Sequence, residues 1–144
     1  MKISDLLADK GDSVEVISPT ETIASAVRRL TERGIGALVV SHGDRTVDGI
    51  ISERDVVRLL ALEGDAALGR LVRDAMTMPV TTCHPGDEVN SLMALMTDRR
   101  IRHLPVVDDD GRLAGIVSIG DVVKSRVDQL ERDRKELMEY VSGR

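Results

Sequence analysis

Apolar residues recur at Ile23, Ala26, Val27 and Leu30, and again at Val89, Leu92, Met93 and Met96. That spacing lays each set along one stripe of an α-helix, so both segments predict amphipathic helices. Around them the period changes. Residues 14–17 and 80–83 are short β-favouring runs, each closed by a proline, Pro19 or Pro85, that has no N–H to give a sheet ladder. Residues 37–41 and 104–107 are nearly continuous apolar runs, the pattern of buried strands. A polar turn follows each, Gly43-Asp44 or Asp110-Gly111, and then a second strand at 47–51 or 113–117 that closes a hairpin. Ser52 and Ser118 stand where a helix N-cap belongs, which predicts a second helix after each hairpin.

The two halves are copies. Shifted by 66 residues, the chain matches itself without a gap from Ser18 to Val57: Pro19 meets Pro85, Ile35 meets Ile101, Leu38 meets Leu104, Gly49 meets Gly115, Ser52 meets Ser118 and Asp55 meets Asp121. One copy of about 55 residues buries little surface alone. The expected fold is therefore α/β, two βαββα repeats packed by a pseudo-twofold around a shared core of Val39, Val40, Ile50, Ile51, Val106, Val107, Ile116 and Val117. Sequence order divides the chain into a first repeat with an N-terminal segment (1–66), a second repeat (67–126) and a helical extension (127–144). Asp121 to Val141 holds no Gly or Pro, which allows one helix about 30 Å long. Along it Val123, Leu130 and Leu137 interleave with Val127, Arg134 and Val141 in coiled-coil spacing, which predicts a homodimer.

Composition narrows the chemistry. The chain has no Trp or Phe and one Tyr, and its net charge is −5. It lacks both the basic face and the stacking rings of a nucleic-acid binder. Cys83 is the single cysteine, which excludes an intrachain disulfide and a thiolate metal cluster and fits a reducing cytoplasm. No run approaches the ~18 apolar residues of a membrane span. The acidic turn Asp108-Asp109-Asp110-Gly111 has Ile119 where a calcium loop needs its final Glu, and Cys83-His84 has no third metal partner. No paired acid and base, triad or metal cluster is present, so the chain reads as no enzyme.

The segments Gly49-Ile50-Ile51-Ser52 with Asp55, Gly115-Ile116-Val117-Ser118 with Asp121, and Leu104-Pro105-Val106-Val107-Asp108 resemble the cystathionine β-synthase (CBS) domain. Two in tandem resemble a Bateman module, and Ser52-Glu53-Arg54-Asp55 and Arg100-Ile101-Arg102-His103 resemble short bacterial and organellar proteins made of the CBS pair alone. The resemblance implies an adenosine-containing ligand, AMP, ADP, ATP or NAD(H), in a cleft between the repeats. It implies that Asp55 and Asp121 hold ribose hydroxyls with Ser52 and Ser118 beside them. Backbone at Val14 and Glu15, or at Val80 and Thr81, would read adenine, and Arg102 and His103 would take phosphate. Opposite Arg100, Arg102 and His103 the first repeat has only Gly34, Gly36 and Ala37, although Arg54 lies within its own motif, so the clefts are expected to differ. The principal site is expected to join Asp121 to Arg102 and His103, with Asp55 serving a weaker event. NAD(H) would enter by its adenosine half, because Gly34-Ile35-Gly36 precedes a strand and is no dinucleotide fingerprint. The implied role is a regulatory sensor that signals to an effector protein. The alternative is a structural or interaction protein with vestigial clefts.

Overall fold

The computed structural model describes residues 1–11 and 13–143. Helix α1 (Ile3–Lys10) leads into the first repeat, β1 (Val16–Ile17), α2 (Ile23–Arg33), β2 (Ala37–Val40), β3 (Gly49–Ser52) and α3 (Glu53–Glu63). A 3-10 segment (Gly64–Gly69) and α4 (Val72–Ala75) connect it to the second, α5 (Val89–Arg99), β4 (His103–Val107), β5 (Leu113–Ser118) and α6 (Ile119–Val141). These are two βαββα repeats with a long C-terminal helix, and α5, β4 and α6 each begin 66 residues after α2, β2 and α3.

In the first repeat β1 runs parallel to β2 and β2 antiparallel to β3, whereas the second repeat has a two-stranded β4–β5 hairpin. The strand predicted at 80–83 is a single parallel bridge between Cys83 and Val106, in the register of Ile17 on Val40. Pro105 is the cause. In the first repeat the Val39 N–H donates to the Glu15 carbonyl at 3.3 Å. Pro105 occupies the corresponding position with no N–H, so the Thr81 carbonyl loses that donor. One step further on the ladder survives, with the Val107 N–H on the Cys83 carbonyl at 2.9 Å.

The core divides in two. Leu38, Val40 and Ile51 cluster with Ile23, Ala26 and Leu30, and Leu104, Val106 and Val117 cluster with Val89, Leu92 and Met96. The shared core expected from the strands is thus one core per repeat. Strand pleating turns Val39 and Ile50 to the opposite face. There Val39 is fully buried, and Ile50, like Ile116, is half-buried.

The segments preceding the repeats are exchanged between them. Helix α1 sets Ile3 and Leu6 into the core of the second repeat, and α4 sets Val72 into the core of the first. The docking bonds are duplicated. Ile3 N–H donates to Asp87 O at 2.9 Å and Val89 N–H to Met1 O at 3.0 Å; Val72 N–H donates to Glu21 O and Ile23 N–H to Arg70 O, both at 2.8 Å. Residues 1–10, grouped with the first repeat by sequence order, pack in space on the second.

Candidate functional site

Ser52 ends β3 and caps α3. Its Oγ accepts the Asp55 N–H at 3.3 Å while Asp55 Oδ2 accepts the Ser52 N–H at 2.9 Å, a reciprocal capping box. Ser118 and Asp121 repeat it at the start of α6, at 3.1 and 2.9 Å. The three-residue spacing is therefore first a device for starting a helix. It leaves acceptor capacity over, because a carboxylate offers about four lone-pair positions. Asp55, only 7% exposed, also takes the Ser52 hydroxyl at Oδ2 and the Thr77 hydroxyl at Oδ1, the latter at 3.1 Å. The Arg58 guanidinium stands 3.9 Å from Oδ1.

Asp121 has different company. The Lys10 ammonium donates to its Oδ2 at 2.5 Å and to the Ile116 carbonyl at 2.9 Å. Burial works to raise this carboxyl, but hydrogen bonds from Lys10 and Ser118 and the Lys10 charge outweigh it and hold the group below the usual carboxylate range.

A cleft of about 510 Å³ opens between the repeats at Asp55. Ser52, Arg54, Asp55 and Arg58 of the first repeat line it with Thr77 beside them, and Val80, Thr81, Arg100, Arg102 and His103 line it from the second. The structure thus groups Arg102 and His103 with Asp55, where sequence order had paired them with Asp121. The reason lies at the pseudo-twofold, where β2 and β4 begin side by side. A Cβ on Gly36 would stand 3.1 Å from His103 Cε1, so the absence of a side chain there makes room for the ring. The cations of β4 consequently look onto the first repeat's helix start.

Other predicted residues fall elsewhere. Val14 lines a separate hollow with Arg45 and Leu113, and Glu15 pairs with Arg33 at 3.3 Å. Ser118 and Asp121 lie outside the large cleft. Arg58 and Thr77 belong to it without having been singled out, and Arg100, noted above only as a cation of the second repeat, joins them. Arg58 sits three residues beyond Asp55 on α3, a spacing that put it on the same face. Thr77 gave no local signal, since a long connection brings it in.

Four guanidiniums, from Arg54, Arg58, Arg100 and Arg102, stand against the carboxylates of Glu53 and Asp55, so the cleft favours an anion. Burial pushes the His103 imidazole below its ordinary value; Glu53 and Asp121 pull it up, and Lys10 and Arg102 push it down. At neutral pH it is a neutral ring with one N–H to donate. Among the described residues no group of three or more His, Cys, Asp or Glu is placed to hold a metal ion, and no helix is long and apolar enough to cross a membrane.

Paired hairpin-and-helix repeats with a charged cleft between them define a two-repeat ligand-binding module. The chain belongs to the CBS-domain family, whose model matches residues 4–62 and 72–128. The mitochondrial CBS domain-containing protein CBSX3 of Arabidopsis thaliana is 38% identical over 149 residues, covering 98% of this chain and 72% of that protein. A CBS-domain containing protein from Agrobacterium tumefaciens superposes with a TM-score of 0.84 at 44% identity, over 88% of this chain and 99% of that one. A CBS domain protein from Pyrobaculum aerophilum complexed with AMP superposes with a TM-score of 0.72 at 27% identity, over 84% and 89%.

Proposed function

We propose that this chain is a non-catalytic regulatory module that binds an adenine nucleotide, AMP, ADP, ATP or the adenosine half of NAD(H), in the Asp55 cleft. The observation that carries the reading is one inter-repeat cleft in which Asp55, Arg54 and Arg58 of the first repeat meet the Val80–Thr81 backbone, Arg100 and Arg102 of the second. Its volume lies within the ~300–1,000 Å³ typical of small-molecule sites. Asp55 Oδ1 keeps a lone pair for a ribose hydroxyl. The Thr81 carbonyl, released from the ladder by Pro105, is an acceptor for the exocyclic amine of adenine. Ile50, Val80 and Ile101 supply aliphatic walls for the purine in a chain without Phe or Trp. Phosphates go to Arg100, Arg102 and the N–H of His103, with Arg54 at the helix start. The AMP complex of the Pyrobaculum aerophilum protein supports this assignment. Signalling to an effector protein follows if the nucleotide binds one packing of the repeats more tightly than another.

Mass spectrometry of small molecules released by denaturation identifies the ligand, and calorimetry gives its affinity. Asp55→Asn is expected to weaken binding by about 1.5–3 kcal/mol, the range for hydrogen bonds to a charged group. If none of the four nucleotides produces heat or raises Tm at millimolar concentration, the interaction-protein reading takes its place.

Two further readings accompany this one. Helix α6 exposes Val127, Leu130, Leu137 and Val141, which supports a homodimer built on that helix. A reducing cytoplasm suits the single buried thiol of Cys83, pushed up to about 12 by burial and by Asp87 and so inert as a nucleophile.

A further inference from the structure

The two aspartate motifs differ in what fills the space beside them. At the first, Thr77 supplies two donors: its N–H bonds the Ile50 carbonyl at 2.8 Å and its hydroxyl bonds Asp55 Oδ1 at 3.1 Å. At the second, one side chain makes both contacts. Lys10 Nζ reaches the Ile116 carbonyl at 2.9 Å and Asp121 Oδ2 at 2.5 Å, and Ile116 and Asp121 are the repeat counterparts of Ile50 and Asp55. The exchange of hydroxyl for ammonium changes the charge. Asp55 has a position open on Oδ1 with the Arg58 guanidinium only 3.9 Å away, whereas Asp121 holds the Lys10 ammonium in direct contact. The side chains of the pair are 31% and 25% exposed, so water screens it less than a surface bridge. Lys10 ends α1, whose Ile3 and Leu6 are anchored in the second repeat's core, so the ammonium is delivered by a fixed helix. The strand start that would have to hold phosphate here carries Gly34, Gly36 and Ala37 in place of Arg100, Arg102 and His103.

We propose that Lys10 is a built-in occupant of the Asp121 site, so that each chain takes one nucleotide, in the Asp55 cleft, and the second site admits a ribose only when the ammonium is withdrawn. The inference rests on the nucleotide reading above. A ribose diol approaches a carboxylate as a neutral donor. A vicinal diol takes a carboxylate through both oxygens, so on Asp121 it must displace Lys10 from Oδ2, breaking a charge-assisted bond and stranding an ammonium that also satisfies a carbonyl, an unfavourable exchange. Occupancy of the second site is thereby tied to the position of the α1 C-terminus.

The test is calorimetric titration of the full chain with adenosine, whose binding needs no phosphate contact, on the parent, Lys10→Met, and Lys10→Met combined with Asp121→Asn. Methionine keeps an unbranched apolar stem and removes the charge. The expected stoichiometry is one adenosine per chain for the parent, two for Lys10→Met, and one again for the double variant. Two sites in the parent, or one in Lys10→Met, overturns the proposal. A carbon-13 NMR titration of the Asp121 carboxyl, without nucleotide, accompanies it, and its midpoint is expected to rise in Lys10→Met. Absence of heat from every protein also overturns the proposal, and the NMR then separates the causes. A risen midpoint means that the contact exists and the nucleotide reading failed; an unmoved one means that the contact is absent.

Discussion

Arg100 holds the left-handed conformation that Gly34 holds at the same point of the first repeat, with φ of 54° against 61° and ψ of 40° in both. Each closes its helix through the backbone N–H, Gly34 on the Leu30 and Thr31 carbonyls and Arg100 on those of Met96 and Thr97. Glycine takes this conformation freely, whereas a residue with a Cβ meets roughly 1–2 kcal/mol of steric cost. Arg100 carries that cost with its side chain in the cleft. Arg100→Gly is therefore expected to raise stability by about 0.5–1 kcal/mol, while ATP affinity falls several-fold and adenosine affinity stays unchanged. Urea denaturation and parallel titrations measure the two effects, and undiminished ATP binding removes Arg100 from the site.

The exchanged leader segments press on two glycines unequally. A Cβ at Gly49 would lie 2.7 Å from Met76 Sδ and 3.1 Å from the Thr77 carbonyl oxygen, which is backbone and cannot turn aside. At Gly115 the obstruction is the tip of Leu7, 2.9 Å away, a flexible end that can rotate. Gly49→Ala is expected to cost about 1–3 kcal/mol, the range for overpacking, and Gly115→Ala less. Thermal unfolding ranks them, and equal costs contradict the docking described.

Acid should reveal the Lys10–Asp121 pair. The Asp121 carboxyl is held low in the folded chain, so its contribution is present above the unfolded value of about 3.9 and is lost as pH falls through the folded value. Lys10→Met is expected to be less stable than the parent by up to about 1 kcal/mol at neutral pH, with the gap closing below about pH 4. A gap independent of pH between 3 and 7 assigns the loss to packing of the lysine stem instead.

Truncation before Val127 separates association from folding. Val122 is the one buried residue of the 23-residue α6, and it precedes the cut. Beyond it the stripe from Val127 to Val141 is exposed, on a helix about 35 Å long at 1.5 Å per residue. Removing residues 127–144 is expected to convert a dimer to a monomer in sedimentation while leaving nucleotide affinity within about two-fold. A full-length chain that sediments as a monomer at micromolar concentration refutes the dimer.

Much of the fold was legible along the chain because its signals are local. The helical stripe of Ile23 to Leu30, the β-branched runs, and the serine and aspartate that cap α3 and α6 act within a turn or a strand, and a doubled pattern at constant offset confirms each reading with a second. Pro105 was legible too, but its effect was not. Its missing N–H matters only because Thr81 lies across from it, and that pairing is a long-range contact.

Sequence by itself thus determined the repeat, its order of elements, the serine N-caps and the residue types available for an anion. Only the tertiary structure decided which aspartate shares a cleft with Arg102 and His103, because two identical motifs give no indication of which strand start each will face across the pseudo-twofold. It likewise decided that α1 belongs to the second repeat and brings Lys10 to Asp121. The pattern Ile3, Leu6, Leu7 specifies an apolar helix face, but whichever core that face fills more completely is where the helix docks, and chain order carries no information about that fit.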